Sequence, residues 1–374
     1  MFIVRQIQKN LEQALFKGKM VVLYGARQVG KTTLVKKIIE KHENDSLYLN
    51  CDEPDVRNAL TDKTSTEIKS FIGSRRLLII DEAQRVKNIG LTLKLIADQF
   101  PEIQVIATGS SSFELSGKIA EPLTGRKIEF FLYPFSLGEL AQQYSPMEMN
   151  RLLEEQLIFG MYPGVVFAGP DREKRVRELA TSYSYKDVLA YQDIRNPELL
   201  EKLLQALALQ IGSEVSYMEL AQLLGVNKVT VENYIRILEQ AYIIFRIGPF
   251  SRNIRNELKK KRKIYFYDLG LRNALINNLN PLSLRQDVGA LWENFMVCER
   301  VKRNSNLGIS VNRYFWRTIH GKEIDYIEDA GGMVFGYEFK WQKKNYAAPK
   351  EFLNGYPGST VTLIHKENYL EFVA

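Results

Sequence analysis

The stretch Gly-Ala-Arg-Gln-Val-Gly-Lys-Thr at residues 25–32 decides the fold of the first part of this chain. It follows an apolar run at 20–24, and residues 31–41 after it carry a helical pattern. Glycines at this spacing let successive backbone N–H groups turn toward phosphate oxygens, and the following helix adds its positive end. The pattern therefore predicts a loop that binds the phosphates of a nucleoside triphosphate. The predicted contact residues are Gly25, Ala26, Arg27, Gln28, Val29, Gly30, Lys31, Thr32 and Thr33.

A second motif supplies carboxylates for the same chemistry. About 50 residues after the loop, an unbroken apolar run at 77–80 ends in Asp81 and Glu82. Such a run is typical of a buried parallel strand, and ligands of α/β sheets bind at the carboxyl ends of the strands. We expect Lys31 to reach the β- and γ-phosphates, and Thr32 to bind Mg²⁺ through its hydroxyl. We expect Asp81 to hold the Mg²⁺ through water, and Glu82 to act as the general base for the attacking water.

Two further residues are candidates for the hydrolytic site. Ser110 follows the apolar run at 104–107, where its hydroxyl suits the attacking water or the γ-phosphate, and an ordinary Gly/Ser turn is the alternative. Arg126 precedes the apolar run at 127–132, and phosphoryl transfer often uses a guanidinium to neutralise developing charge. Its target would be its own site or that of a neighbouring subunit. A plain surface arginine is the alternative.

These motifs resemble those of AAA+ ATPases within the broader P-loop class. More narrowly, four segments together resemble a prokaryotic family of AAA ATPases with a C-terminal domain of unknown function, number 4143. The segments are residues 23–32, 79–84, 108–112 and 132–136. The resemblance covers essentially the whole chain, and it implies ATP and Mg²⁺ as cofactors and hydrolysis of ATP to ADP and phosphate. It leaves the biological role open, because the family is largely uncharacterised.

The length of 374 residues is that of two or three domains. Residues 1–145 alternate strands with helices, which predicts an α/β fold with a parallel sheet. Residues 146–285 are mostly helical, and residues 286–374 return to an α/β pattern as a separate small unit. We therefore predict a P-loop AAA+ ATPase domain, a helical middle region and a small α/β C-terminal domain.

Composition narrows the class of partner. The net charge of +7 and the isoelectric point of about 9.1 suit an anionic partner such as nucleic acid without requiring one.

The two cysteines, Cys51 and Cys298, are far apart, so a disulfide framework is not expected. Scattered histidines at 42, 320 and 365 argue against zinc. No apolar run is long enough for a signal peptide or a membrane span, so we expect a cytoplasmic protein without a membrane partner.

The middle block contains a helix-turn-helix pattern at 216–241, and two predicted strands follow it at 242–247 and 263–267. Helix, turn, helix and hairpin together predict a winged helix. Such a module would direct part of its second helix toward a groove of DNA, while the basic loop would meet phosphates. Packing, dimerisation, a lid on the ATPase block and a simple solvated loop are the alternatives. The candidate DNA contacts are Lys228, Thr230, Asn233, Lys260, Lys261 and Arg262.

The third block carries a set of charged residues on two predicted strands. Asp325 is followed, after twelve residues, by Glu338 and Lys340, and a Gly-Gly turn between them predicts a hairpin. Two carboxylates and a lysine suit a metal-dependent hydrolytic site, which Glu293 on the preceding helix would complete. The set resembles the PD-(D/E)xK nuclease fold of restriction-endonuclease-like proteins, with Ile324 where the pattern's name implies proline. The alternative is a charged strand face turned to solvent.

Two functions from different classes remain open on the sequence. The first is an ATPase associated with nucleic acid, with or without nuclease activity. The second is a nucleotide-driven switch or scaffold whose nuclease-like domain is inert and binds a protein partner. A homo-oligomer is compatible with both.

Overall fold

The computed structural model describes residues 2–109, 119, 121–185, 196–251 and 262–373, except for the side chains of 182–185. The chain forms two compact units. The first comprises Val4–Tyr133 and Gln240–Tyr242, and the second comprises Met1–Ile3, Pro134–Glu239 and Ile243–Ala374. In the described part of the chain, no helix is both long and apolar enough to cross a membrane.

The first unit is built on a sheet of five strands in the order β2-β3-β4-β1-β5, and every neighbouring pair is parallel. The strands are β1 (Met20–Tyr24), β2 (Ser46–Asn50), β3 (Leu77–Asp81), β4 (Gln104–Gly109) and β5 (Lys127–Phe131). Every residue of β1, β3 and β4 is buried, as central strands covered on both faces must be. The predicted α/β fold with a parallel sheet is confirmed.

Helices connect these strands. The described helices of the first unit are Ile7–Ala14, Lys31–Ile39, Pro54–Leu60, Ser65–Ile72 and Ile89–Gln99, with short 3-10 turns at Glu43–Asp45 and Ala83–Arg85. The helix that follows β1 begins directly after Gly30, whose φ of 99° lies in the left-handed region that favours glycine. The loop of residues 25–30 therefore leads from the carboxyl end of a central strand straight into the start of a helix.

The second unit combines helices with a mixed sheet. Its described helices are Leu137–Leu140, Pro146–Phe159, Pro163–Val166, Arg172–Tyr185, Pro197–Leu209, Tyr217–Leu224, Lys228–Gln240, Leu269–Leu275, Val288–Leu307, Lys350–Gly355 and Tyr369–Val373, with 3-10 turns at Gly169–Asp171 and Leu282–Leu284. The long helix Val288–Leu307 packs Trp292 against Trp341 and Tyr369, with ring centroids 5.3 and 5.7 Å apart. This aromatic contact ties the helix to the C-terminal segment of the chain.

Seven strands form the sheet of the second unit, in the order β12-β11-β10-β9-β7-β8-β6. They are β6 (Glu214–Val215), β7 (Ile244–Pro249), β8 (Arg262–Phe266), β9 (Asn312–Arg317), β10 (Glu323–Ala330), β11 (Met333–Phe339) and β12 (Thr360–Ile364). The pairs β7–β9 and β11–β12 are parallel, and the other neighbouring pairs are antiparallel. The Gly-Gly hairpin predicted between β10 and β11 is present, with Ala330 opposite Met333.

One feature of this sheet differs from the sequence-based expectation of a separate third block. Strand β7 of the middle block pairs with β9 of the third block through Gly248 opposite Tyr314 and Pro249 opposite Phe315. The strands of both blocks therefore share one sheet. Periodicity reports which face of a strand is buried but not which strand lies beside it, so this pairing has no local signature.

The predicted helix-turn-helix elements are present in the middle block. The helix Tyr217–Leu224 starts where the Ser216 hydroxyl accepts a hydrogen bond from the Glu219 N–H, and the helix Lys228–Gln240 follows it. Strands β7 and β8 then pair antiparallel. Strand β7 starts two residues later than predicted, because Tyr242 has a φ of 58° and forms part of a turn. The element order is the one from which we predicted a winged helix.

Candidate functional site

The phosphate loop has a backbone that its sequence makes possible. A Cβ at Gly25 would lie 2.2 Å from the Leu132 carbonyl oxygen, so only glycine fits at the start of the loop. Gln28 has a φ of 59°, a conformation that costs a non-glycine residue about 1–2 kcal/mol. Strained backbone of this kind concentrates at ligand-binding sites. The loop is therefore shaped before any ligand binds.

Lys31 lies back across its own loop. Its ammonium donates hydrogen bonds to the carbonyl oxygens of Gly25 at 2.8 Å and Ala26 at 3.0 Å, and the residue is only 5% exposed. An ammonium has three N–H donors and no acceptor, so it can transfer these bonds to phosphate oxygens. The structure thus holds the predicted phosphate-binding lysine at the mouth of the loop.

Arg5 is a residue of this site that sequence reasoning missed. Its side chain is buried, and the guanidinium donates to the carbonyl oxygens of Val29 at 2.7 Å and Tyr133 at 2.5 Å. These bonds fasten the outer side of the phosphate loop to the segment after β5. Arg5 precedes the loop by twenty residues and belongs to no motif, so nothing in its local sequence marks this contact.

Asp81 is the centre of a network of hydroxyl groups. Its Oδ2 accepts hydrogen bonds from the Thr32 hydroxyl at 2.8 Å and from the Tyr48 hydroxyl at 2.6 Å, and its Oδ1 accepts one from the Thr108 hydroxyl. Burial, followed by the bond to Asp81, raises the pKa of Tyr48, which keeps this phenol a donor. The structure brings the predicted residues Thr32 and Asp81 together, and it adds Tyr48 and Thr108.

The same donor set fits a magnesium ion. Mg²⁺ is bound by one or two carboxylates and hydroxyls, with phosphates and water completing the oxygen ligands. The hydroxyl of Thr32 and the carboxylate of Asp81 are such ligands, and they lie within 2.8 Å of each other beside the loop. Thr32 and Asp81 are thus the residues that would hold Mg²⁺ together with the nucleotide phosphates.

Glu82 lies next to this network, directly after the carboxyl end of β3. Its backbone has a φ of 54°, and its N–H donates to the Thr108 hydroxyl at 3.1 Å. The carboxylate accepts a hydrogen bond from the Gln84 side-chain amide at 2.6 Å. Gln84 is the last residue of the motif at 79–84, and sequence reasoning missed its contact with Glu82. The left-handed turn and this bond together fix the direction of the predicted general base.

The strand order explains why these residues meet. Strand β4 lies between β1, which leads into the phosphate loop, and β3, which ends at Asp81. Thr108 on β4 therefore bridges the two motifs. The predicted residue Ser110 lies outside the described residues, as do Lys260 and Lys261 of the basic run.

Arg126 requires a correction. Strand β5 runs parallel to β1 with Lys127 opposite Met20, so Arg126 lies at the amino edge of the sheet. The phosphate loop lies at the carboxyl edge, about 16 Å away for a five-residue strand. The guanidinium pairs instead with Asp98 at 2.9 Å. The structure therefore excludes Arg126 from the phosphate site of its own subunit.

The four residues of the predicted nuclease site are brought together in the second unit. Lys340 contacts Glu338 at 2.7 Å, and Asp325 accepts a hydrogen bond from the Phe339 N–H at 2.9 Å. Burial and the neighbouring charge of Asp325 raise the pKa of both Glu338 and Glu293 to about 7. Within the described residues, no three carboxylate, imidazole or thiol groups are arranged to share one metal ion.

Lys263 is an additional member of this cluster. From the sequence it was the last residue of the basic run at 259–263, for which phosphate contact and a solvated loop were the alternatives, and the first residue of the predicted strand 263–267. Its ammonium lies 2.9 Å from Glu293 and 3.8 Å from Asp325, and it also contacts Glu323. The residue is 1% exposed. Burial disfavours the ammonium, but the carboxylates of Glu293, Asp325 and Glu323 raise the pKa of Lys263 above its ordinary value. The cluster thus contains its own cation.

The predicted DNA contacts have different surroundings. Lys228 is exposed and pairs with Glu232 at 3.1 Å, and Asn233 is also exposed. Thr230 takes part in the helix start, where its N–H and hydroxyl both donate to the Asn227 side chain. Arg262, the remaining described member of the set, is the first residue of β8. Lys228 and Asn233 are therefore the two candidates on this helix whose exposure suits an external partner.

Three family models match the chain. An AAA domain matches residues 17–141, a domain of unknown function (DUF8612) matches residues 150–282, and a domain of unknown function (DUF4143) matches residues 288–368. The chain therefore contains an AAA domain and, toward its C-terminus, a DUF4143 domain, as the resemblance implied. The match of the middle block to DUF8612 was not anticipated.

Curated relatives carry no assigned function. An uncharacterised protein of Methanocaldococcus jannaschii is 27% identical over 326 residues, which are 80% of this chain and 71% of the relative. An uncharacterised protein of Mycobacterium tuberculosis is 27% identical over 341 residues, which are 90% of this chain and 73% of the relative. These relatives therefore give no indication of an activity.

Solved structures provide only weak similarity. Drosophila ORC bound to AT-rich DNA and Cdc6 is 11% identical, covering 72% of this chain and 92% of that one, with a TM-score of 0.25. The Pif1 helicase from Candida albicans is 18% identical over 48% of each chain, with a TM-score of 0.24. TM-scores this low support no conclusion about this protein.

Proposed function

We propose that the first unit binds Mg-ATP in the loop Gly25–Thr33 and hydrolyses it to ADP and phosphate. The observation that carries the proposal is the contact between Thr32 and Asp81 at 2.8 Å, which joins the phosphate loop to the acidic strand end. An AAA domain spans this region. A loop, a lysine, a magnesium-binding pair and a base at one sheet edge are the parts that ATP hydrolysis requires.

Each residue has a distinct task in this proposal. Backbone N–H groups of the loop and the Lys31 ammonium bind the β- and γ-phosphates. Thr32 would hold Mg²⁺ directly and Asp81 would hold it through water, and the ion would neutralise phosphate charge. Glu82 orients a water molecule in line with the γ-phosphorus and accepts its proton. The bond from γ-phosphorus to the bridging oxygen breaks as the water oxygen bonds, so ADP leaves with that oxygen.

The test compares wild type with Glu82→Gln, which keeps the shape of the side chain but removes the base. We expect ATP turnover to fall about 10²–10⁴-fold while nucleotide affinity stays within a few-fold of wild type. Glu102→Gln, at an exposed glutamate before β4, is the matched control and should turn over ATP like wild type. Equal turnover in wild type and Glu82→Gln would rule out the assigned base.

We further propose that this ATPase acts in association with nucleic acid. The net charge of +7 and the exposed residues Lys228 and Asn233 on the second helix of the winged-helix candidate support it. DNA should stimulate ATP turnover, and DNA binding should weaken with salt. Lys228→Gln should lower the salt slope by about one, whereas the control Lys9→Gln should not. No stimulation and no binding at low salt would refute this part alone.

We propose 1–145, 146–285 and 286–374 as three domains along the sequence, which the three matched ranges support. The second and third of them share one sheet and form one compact unit. The nuclease-like character of the last domain is part of this proposal, with Glu293, Asp325, Glu338 and Lys340 as its polar cluster. An assembly with copies of itself or with a protein partner would give Arg126 a target in a neighbouring subunit.

A second function is favoured by one observation, the ammonium of Lys263 between Glu293 and Asp325. In this alternative the protein is a nucleotide-driven switch or scaffold whose nuclease-like domain is inert and binds a protein partner. It predicts slow turnover, tight nucleotide retention and no DNA cleavage with Mg²⁺ or Mn²⁺. Cleavage by wild type that is lost in Asp325→Ala would exclude it.

A further inference from the structure

The carboxylate cluster of the second unit is built around a lysine from another part of the chain. Lys263 lies on β8, its partner Glu293 lies on the helix Val288–Leu307, and Asp325 and Glu323 lie on β10. The Lys263 ammonium is 2.9 Å from Glu293 Oε1 and 3.8 Å from Asp325 Oδ1. It therefore contacts Glu293 and Asp325, two of the three carboxylates of the candidate metal site, and it also contacts Glu323.

The surroundings of Lys263 hold it in this place. The Lys263 Nζ lies 5.6 Å from the centroid of the Phe315 ring, and only 1% of the residue is exposed. The Tyr265 hydroxyl donates to the same Glu293 oxygen at 2.7 Å. Withdrawing the ammonium would leave Lys340 as the remaining lysine beside the buried carboxylates of Glu293, Asp325 and Glu338, and a buried carboxylate that loses its paired cation is strongly destabilising. Lys263 is thus held in a buried position by contacts with Glu293, Glu323 and Asp325.

A divalent cation and this ammonium cannot share the space. Mg²⁺ requires oxygen ligands at about 2.0–2.1 Å in near-octahedral geometry, and it usually keeps several waters. An ammonium placed 2.9 Å from one carboxylate and 3.8 Å from the next puts a positive charge beside both of them, and this charge repels a divalent cation. With Lys263 in this place, no three carboxylate, imidazole or thiol groups among the described residues are arranged around one metal position. The three carboxylates must therefore move closer together before they can share a divalent ion.

The other side of the cluster retains unused capacity for a cation. Glu338 is 7% exposed, and its Oε2 is buried without a hydrogen-bond partner among the described residues, while Oε1 accepts a bond from Lys340. A buried carboxylate oxygen without a donor is costly, because it has lost water and gained nothing. This oxygen would become a ligand if the charge balance of the cluster changed in favour of a divalent ion.

We propose that Lys263 is the built-in counter-cation of this cluster, and that it excludes divalent metal from the site formed by Glu293, Asp325 and Glu338. The wild-type domain then carries the polar residues of a metal-dependent nuclease with a protein ammonium in the place of the metal. Removing the ammonium converts the cluster into a site for a hard divalent cation such as Mn²⁺ or Mg²⁺.

The test measures Mn²⁺ binding to the full chain by electron paramagnetic resonance, without nucleotide. All proteins carry Asp81→Asn, which removes the proposed metal ligand of the first unit. The chain with Lys263→Ala should gain one Mn²⁺ site, and its affinity should be at least tenfold higher than that of any site in the chain that keeps Lys263. Adding Glu293→Gln should abolish that site. Because no turnover is measured, failure of the ATPase proposal would not affect this outcome.

Two results would overturn the proposal. One is a Mn²⁺ site in the chain with intact Lys263 that disappears in Asp325→Asn. The other is a folded Lys263→Ala chain that gains no site. If Lys263→Ala does not fold, the pair Lys263→Met and Glu293→Gln removes both charges while keeping volume and should restore folding. In that case the proposal is tested by comparing Mn²⁺ binding to the chain with intact Lys263 and to the same chain carrying Asp325→Asn.

Discussion

Substitution of Gly25 by alanine should disable the phosphate loop by a steric clash, to which the Gly25 φ of 157° adds backbone strain. The added Cβ would lie 2.2 Å from the Leu132 carbonyl oxygen and 3.1 Å from its carbon, whereas ordinary contacts begin near 3.4 Å. Leu132 cannot yield easily, because its N–H is bonded to the Tyr24 carbonyl at 2.8 Å. The loop and the end of β5 must therefore separate by roughly 1 Å. Overpacking of this kind costs about 1–3 kcal/mol.

The same displacement moves the first N–H groups of the loop and the carbonyl that holds Lys31. We expect the affinity for a fluorescent ATP analogue to fall at least about tenfold, which corresponds to about 1.4 kcal/mol. Urea unfolding followed by circular dichroism should shift to lower urea. The three tryptophans, Trp292, Trp316 and Trp341, all belong to the second unit, so their fluorescence should keep its native value and acts as an internal control.

Gly18→Ala is the matched control. Gly18 has a φ of 72°, so alanine there costs about 1–2 kcal/mol of backbone strain, but no atom lies within 4 Å of the new Cβ. This variant should lose stability and keep the affinity for the analogue. Wild-type affinity and an unshifted unfolding curve for Gly25→Ala would refute the steric argument.

Three more predictions concern Tyr48, Asp287 and Arg126. Tyr48→Phe removes one hydroxyl donor from the magnesium-binding carboxylate, so the maximal ATP turnover should fall about tenfold and need more Mg²⁺; an unchanged magnesium titration would contradict this. Burial opposes ionisation of Asp287, but hydrogen bonds from Arg285 and Arg272 lower its pKa to about 2. Asp287→Asn should therefore cost about 1–2 kcal/mol near pH 7, after allowance for solvent screening. That difference should shrink as the pH falls below the unfolded value of about 3.9 toward 2, as measured by urea unfolding with tryptophan fluorescence. Arg126→Ala should leave turnover within about twofold of wild type at protein concentrations where the chain is monomeric, because Arg126 lies at the far edge of the sheet. A large loss in the monomer would show that the strand geometry has been misread.

Most of the nucleotide site was accessible to sequence reasoning because its chemistry is local. The residues from Gly25 to Thr33 are contiguous, and the acidic pair Asp81 and Glu82 ends a recognisable apolar run. An element boundary and a side-chain type together predict the position of such residues at a sheet edge. The parallel sheet followed for the same reason, since alternating strands and helices leave few other arrangements.

The missing parts of the site are those held by distant segments. Arg5 reaches the loop from twenty-four residues before Val29, and Tyr48 reaches Asp81, the carboxylate proposed to bind the metal, from a neighbouring strand thirty-three residues away. Neither has a pattern of its own, because a tyrosine or arginine at such a position is equally compatible with many other contacts. Arg126 shows the reverse case, in which a plausible residue type lies at the end of its strand that is remote from the phosphate loop of its own subunit.

The sequence by itself determined the phosphate loop, the carboxylates beside it, the α/β character of the first unit and the helix-turn-helix elements of the middle block. These features depend on spacing and periodicity along a continuous chain. Only the tertiary structure decided that Lys263 leaves the basic run for a buried cluster, and that β7 joins the C-terminal sheet through β9. Both outcomes depend on which distant segment lies alongside, and hydrophobic pattern and charge do not encode that choice locally. The phosphate loop was therefore predictable, whereas the character of the carboxylate cluster was not.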